Sequence, residues 1–347
     1  MSGTTESQSQ ILAATKLSGA GGRRVEEWMI DAMQGLFPQV VFPAFRALAA
    51  LILLTVAVRA APAFVLDEIA PGVFAHQGET ALMTRDNLGG IANLGAIVGD
   101  AAVAVIDTGG SLPEARNFLA ELRKKTDKPI RYVINTHAHP DHVFGNAVFE
   151  RPGVVFLGHK NLPRALAARG DFFLSSFRAA MGDALDGVRI IPPTETVSEM
   201  MTIDLGGRRL VLQAWPTAHS DCDLTAFDEK SGVLFAGDLL FLQHVPVVDG
   251  SLLGFLAVAD RLAAIPATRV VPGHGPMVAP WPKALEDQRA YLDRLTADLR
   301  AAIRKGATVD ETTRNAGESE RPKWRLFDDY HKRNATAGFA ELEWETP

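Results

Sequence analysis

Residues 137–142 read His-Ala-His-Pro-Asp-His, and no other stretch limits the fold as tightly. Four side chains of metal-ligating type fall in six positions, one residue after 130–135, a run whose β-branched and aromatic content predicts a strand. Pro140 and the polar residues around it cannot continue a ladder, so the candidates stand at a strand's C-terminal end. His137 and His139 are two apart, which puts both imidazoles on one side of an extended backbone, within reach of one ion at about 2.0–2.1 Å. Asp141 and His142 follow a tight turn and add an oxygen and a nitrogen that can serve a second ion close by.

Three more candidates follow runs of β character: His219 after Thr217 and Ala218, Asp238 after Ala236 and Gly237, and His274 after Pro272 and Gly273. Taken singly, a histidine is more often a hydrogen-bonded core or surface residue than a ligand, but five of the nine histidines at strand ends form a pattern. His76, His159, His244 and His331 fall outside it and read as structural or exposed, His244 being the nearest to the Asp238 run. The periodicity predicts strands at 72–76, 93–98 and 101–106, the last two joined by a Gly99-Asp100 hairpin turn. Apolar residues at helical spacing predict a helix at 112–125. A strand at 154–157, helices at 162–169 and 172–185, and strands at 208–214, 224–228 and 233–236 follow. A helix at 252–264 and a strand at 269–271 complete the pattern. Two β-rich halves with interspersed helices predict an α/β fold: an αββα sandwich of two mixed sheets with helices on the outer faces. From Lys283 the tail, a C-terminal helical extension, is helical to about Lys305, then polar and irregular through 315–323, and ends in the stretch 324–344.

With 347 residues, 47% of them apolar, the chain can bury a sizeable core. The 35 Lys and Arg against 41 Asp and Glu leave a formal charge of −6, and no basic block of five occurs, which argues against nucleic acid as a partner. Cys222 is the single cysteine, so neither an intrachain disulfide nor a cysteine-based zinc knuckle can form. Twelve residues, 47–58, all apolar but Thr55, lie between Arg46 and Arg59 and precede Ala60-Ala61-Pro62, which reads as a signal-peptide core with a small-residue cleavage site. As a helix they span about 18 Å against a bilayer core of about 30 Å, so any membrane association rests on this segment staying uncleaved. The chain thus divides into an extension, 1–61, and a domain, 62–347, expected to be periplasmic or otherwise exported. The stretch ahead of the apolar core is long and mixed in charge, which leaves Met29 and Met33 as alternative starts.

The His-x-His-x-Asp-His motif with the later His219, Asp238 and His274 in order resembles the signature of the metallo-β-lactamase superfamily. The resemblance implies a sandwich of that name, with His137, His139 and His219 on a first metal, Asp141, His142 and His274 on a second, and Asp238 bridging both. It implies two zinc ions, though iron or manganese also accepts imidazole with carboxylate, and hydrolysis of an ester, thioester or amide-type small-molecule substrate by a hydroxide shared between the metals. Asp141 is the residue whose loss should abolish turnover. Asp107 resembles a carboxylate that orients ligands from behind, or else forms a simple turn. Cys222 has no ligand role, and Asp238 stands where thiolate-using β-lactamases carry cysteine, which argues against a typical β-lactamase. Residues 236–241 and 245–254, with Phe-Asp-Asp-Tyr-His at 327–331 and Glu-Leu-Glu-Trp at 341–344, look like the SoxH-like group, the quinoprotein relay system zinc metallohydrolases, whose members work beside quinoprotein dehydrogenases. The alternatives are a di-iron redox protein, a β-lactamase-like amide hydrolase, and a maturation role in which the metals are structural and a quinoprotein docks. Gly89-Gly90 and 172–186 are expected to border the pocket.

Overall fold

A computed structural model describes residues 64–345; the apolar segment 47–58 and its cleavage region lie outside the described residues. Strands β1 (Asp67–Ala70), β2 (Val73–His76), β3 (Leu94–Val98), β4 (Val103–Ile106), β5 (Ile130–Ile134), β6 (Val155–His159) and β7 (Glu195–Val197) form one sheet in that order. The second sheet is built from β8 (Met200–Asp204), β9 (Arg209–Ala214), β10 (Leu224–Asp228), β11 (Val233–Phe241), β12 (Arg269–His274) and β13 (Ala279–Pro280), also in sequence order. Pairing is parallel from β4 through β7 and between β11 and β12, and antiparallel elsewhere, so both sheets are mixed as expected.

The inner faces meet in one apolar layer, with Ile97, Ile106, Ile134 and Leu157 from the first sheet against Leu212, Phe235 and Val271 from the second. Helix α1 (Leu112–Lys125) covers the outer face of the first sheet with Ala115, Phe118 and Leu122. Its start is set by Ser111, whose hydroxyl accepts from the Glu114 amide, and by Pro113 in the first turn. Helices α5 (Leu252–Leu262), α6 (Glu286–Arg304) and α8 (Phe327–Leu342) cover the second sheet through Phe255, Leu292, Leu295 and Ala335. Each of the Phe and Leu side chains among these contributes roughly 1.5–3 kcal/mol by burial. The helical turns α2 (Pro140–Val143) and α3 (Asn146–Phe149), the long α4 (Leu162–Met181) and the short α7 (Val309–Thr313) complete the described domain. None of the described helices is long and apolar enough to cross a membrane.

Three expectations are corrected. The two helices at 162–169 and 172–185 are one helix, α4, followed by a 3₁₀ turn (Gly182–Leu185). Gly170 does not break it, because its bare face packs on Ile190, 2.7 Å from where a Cβ would stand. The run at 233–236 continues as β11 to Phe241, so Asp238 lies inside a strand rather than at its end. The register shifts around Gly237, whose φ is +52°, and this bulge turns Asp238 toward the site. Finally, β1, β7 and β8 escape the sequence pattern because they are short edge strands with mostly exposed residues.

At the end of the sandwich away from residues 137–142, Arg208 ties the sheets together. Its guanidinium donates to both oxygens of Asp228 (3.1 and 2.6 Å) and to the carbonyls of Pro71 and Val98 (2.9 and 3.0 Å), with both charged partners buried. Replacing Asp228 with alanine strands a buried cation, and we expect a loss of about 3–5 kcal/mol in urea unfolding. A loss under 1 kcal/mol would show that the clamp is dispensable.

Candidate metal centre

All seven predicted ligand residues converge in the seam between the sheets, and they fall into two groups. His137, His139, His219 and Asp238 form one, and Asp141, His142 and His274 the other, with the ligand atoms of each group within 4.8 Å of one another. The β5 end supplies His137 and His139, α2 supplies Asp141 and His142, the loop between β9 and β10 supplies His219, the β11 bulge supplies Asp238, and the last residue of β12 is His274. Two glycines make room. A Cβ at Gly237 would stand 2.6 Å from Thr136 Cβ, and one at Gly273 only 1.9 Å from Asp238 Oδ1, so both close approaches demand the bare backbone.

The outer partner of each imidazole fixes which nitrogen faces inward. His219 Nδ1 donates to the Val247 carbonyl (2.8 Å), His274 Nδ1 to the Ile91 carbonyl (2.9 Å), His142 Nδ1 to Asp107 Oδ2 (2.8 Å), and His139 Nε2 to Asp249 Oδ2 (3.1 Å). The Thr136 hydroxyl gives its proton to Asp107 Oδ2 (2.7 Å) and so accepts from His137 Nδ1 (3.1 Å). Five inner nitrogens are therefore free to present lone pairs to the centre.

The spacing of those atoms fits metal coordination. A tetrahedral ion with bonds of about 2.0–2.1 Å sets its ligand atoms ~3.3–3.4 Å apart. In the first group the separations are 3.0 Å (His137 Nε2 to His139 Nδ1), 2.9 Å (His219 Nε2 to His139 Nδ1), and 3.6 and 3.4 Å from Asp238 Oδ2 to His137 and His219. In the second, Asp141 Oδ2 lies 3.4 and 3.3 Å from His142 and His274 Nε2, and Asp238 Oδ1 lies 3.2 and 3.4 Å from the same atoms. Asp238 thus turns one oxygen to each group. His142 Nε2 and Asp238 Oδ1 are buried with no hydrogen-bond partner among the described residues, atoms that a cation would satisfy. Two lone pairs 2.9 Å apart repel, so the first group also needs positive charge between its members.

The proton affinities agree. Burial, with the neighbouring histidines, holds His137 well below the usual imidazole range, and burial likewise lowers His139 and His219. Burial opposes the charged form of His142 and His274 too, but Asp238 and Asp141 outweigh it, raising His142 well above the usual range and His274 to about 9. Burial would raise Asp141 and Asp238, yet the surrounding histidines keep both well below the usual carboxylate range. Positive charge is thus favoured at the inner nitrogens of His142 and His274, while the lowered affinities of His137, His139 and His219 keep their lone pairs free of protons and open to a metal.

Asp107 acts from behind the ligands. It holds His142 and, through Oδ1, the Thr136 amide (2.8 Å), while its own backbone sits at φ +55°. Sequence reasoning missed Asp249, which orients His139 and is itself paired with Arg169 of α4 and Arg333 of α8. Its one signal is its place, in the long stretch between Asp238 and α5. His244 is buried beside the centre, its ring 5.1 Å from that of His274 and 5.0 Å from that of Tyr330, and burial lowers it to about 4. His76 and His331 bond backbone carbonyls, and His159 accepts the Asn161 amide. A cavity of about 310 Å³ opens on the centre, lined by Asp141, Asp238 and His274. Phe173, Ser176 and Phe177 border it, within the expected 172–186, whereas Gly90 lines a different cavity.

Two predictions follow from this arrangement. Asp107→Ala should weaken metal binding about 10- to 100-fold in competition with a chromophoric chelator, the usual cost of losing an orienting partner; an unchanged affinity would reduce Asp107 to a turn former. Burial, aided by Asp223, pushes the Cys222 thiol up to about 12, and the side chain is buried. Iodoacetamide at pH 8 should therefore leave Cys222 unmodified in the folded protein and alkylate it after unfolding; alkylation of the folded form at the rate of a free thiol would contradict this placement.

Known proteins share this framework. The family described as the metallo-beta-lactamase superfamily matches residues 88–274, more than half of the chain. The sequence is similar to a linear primary-alkylsulfatase of Pseudomonas sp. (strain ATCC 19151), 26% identical over 245 residues, or 60% of this chain and 46% of that protein. Among solved structures, a stereoselective inverting sec-alkylsulfatase from Pseudomonas sp. superposes with a TM-score of 0.65 at 17% identity, covering 81% of this chain and 51% of that one. A metallo-beta-lactamase from Pontibacter korlensis superposes at 0.54 with 19% identity, covering 66% of this chain and 99% of that one. The chain therefore spans about half the length of the two alkylsulfatases.

Proposed function

The chain belongs to the metallo-beta-lactamase superfamily, and on that premise we propose that it is a dinuclear zinc hydrolase cleaving an ester, thioester or amide-type bond in a small molecule. The observation that carries this reading is the convergence of five inward imidazole nitrogens on an aspartate that turns one oxygen to each group. A donor set of nitrogen and oxygen without thiolate suits zinc and also admits iron or manganese. When bound, two such cations lower the pKa of a shared water and polarise the bond to be cleaved.

The chain's own residues do the rest. Asp141 turns Oδ2 to His142 and His274 and lines the cavity, which leaves its other oxygen to accept a proton from water. Asp107 and Asp249 keep His142 and His139 in the tautomers that face inward. Leu82, Phe173 and Phe177 give the cavity an apolar wall that packs the body of a substrate and excludes water.

A sulfate ester is the second reading, favoured by the similarity to a linear primary-alkylsulfatase. Within the superfamily we place the chain in the SoxH-like group on residues 236–254 and the two C-terminal motifs. We further propose that it is exported, with processing near Pro62, and works beside a quinoprotein system.

The test is a panel of thioester, aryl ester, phosphoester, alkyl sulfate and β-lactam substrates, assayed with the zinc-loaded protein and with Asp141→Ala. Turnover of at least one class should fall to the uncatalysed rate in the variant. Wild-type turnover by Asp141→Ala would sink the assignment.

A further inference from the structure

Two arginines face the same cavity as the metal centre, and neither touches the ligand set except through Asp249. Arg169 comes from α4 and Arg333 from α8, the latter outside the region matched by the family. Both pair with Asp249, Arg169 through Oδ2 and Arg333 through Oδ1. Oδ2 also receives the His139 Nε2 proton at 3.1 Å, so the carboxylate is fully engaged.

One carboxylate balances only one guanidinium, and the pair retains a net positive charge. Each guanidinium carries five N–H donors and gives one nitrogen to Asp249, so donors remain on both. The other carboxylates lining the cavity, Asp141 and Asp238, face the ligand nitrogens. Arg169 is also held in place: it lies 4.7 Å over the Phe173 ring, which is 5.8 Å from that of His139. The side chains are 38% and 50% exposed, so solutes in the cavity can reach them. A clamp for Asp249 alone would need one arginine. Two, converging beside the first metal group with donors to spare, make a fork for an anion.

We propose that Arg169 and Arg333 form an anion subsite, and that the substrate carries a carboxylate-type group in addition to its scissile bond. This rests on the hydrolase reading for the scissile bond, but not for the binding of the anion. The anion is held at the His139 side of the cavity, the scissile bond lies over Asp238 and Asp141, and the substrate body packs on Leu82 and Phe177.

The test uses the full chain loaded with zinc and a matched pair of probes, monophenyl glutarate and its methyl ester, together with calorimetric binding of glutarate and monomethyl glutarate. Wild type should favour the acid over its methyl ester, and glutarate over monomethyl glutarate. Arg333→Gln and Arg169→Gln should each reduce that preference about 10- to 100-fold, mainly through KM and Kd, as expected for a lost charge-assisted bond. Arg333→Lys, which keeps the charge but not the fork, should recover part of it. Equal losses for both probes would show that the arginines only hold Asp249 and would overturn the subsite, as would a wild type that does not distinguish the pair. If neither ester turns over, preferential glutarate binding that the variants lose upholds the subsite while the hydrolase reading fails; equal binding overturns the subsite as well.

Discussion

Seven groups of ligand type crowded into one seam, six of them buried, are the constraint on which the rest of the structure depends. Five imidazoles present lone pairs to a common centre, and two carboxylates lie among them in the seam between the sheets. Such an arrangement is costly in a low-dielectric interior unless positive charge stands between the groups. The fold accepts it because every imidazole is held from outside by a hydrogen-bond partner, and because the Arg208 clamp and the apolar layer fix the sheets at the other end. Strength at one end of the sandwich supports a strained constellation at the other.

The partners are drawn from both sheets and from the loops, which explains the precision. Thr136 and Asp107 come from the ends of β5 and β4, Val247 and Asp249 from the stretch after β11, and Ile91 from the approach to β3. All but Thr136, which holds its neighbour His137, lock a ring that belongs to another element. The centre forms only when the two halves of the sandwich are assembled.

The residues that converge were legible because HAHPDH is compact and because His219, Asp238 and His274 follow apolar β runs. The αββα layering was legible for the same reason, as apolar runs of strand length alternate with helical spacing. The bulge at Gly237 was not, since a glycine inside an apolar run reads as an end rather than a turn of register. Nor was Asp249, whose partners Arg169 and Arg333 are 80 and 84 residues away in sequence. The C-terminal segment gives no local sign of its role, because α8 acts by packing on α5 and α6 and by sending Tyr330 and Arg333 to a cavity built by others.

Anomalous diffraction from crystals of the zinc-loaded protein, recorded on both sides of the zinc edge, tests the central claim most directly. The account predicts two peaks per chain, one among His137, His139, His219 and Asp238 and one among Asp141, His142, His274 and Asp238. A single peak, or zinc held by residues outside this set, would contradict it.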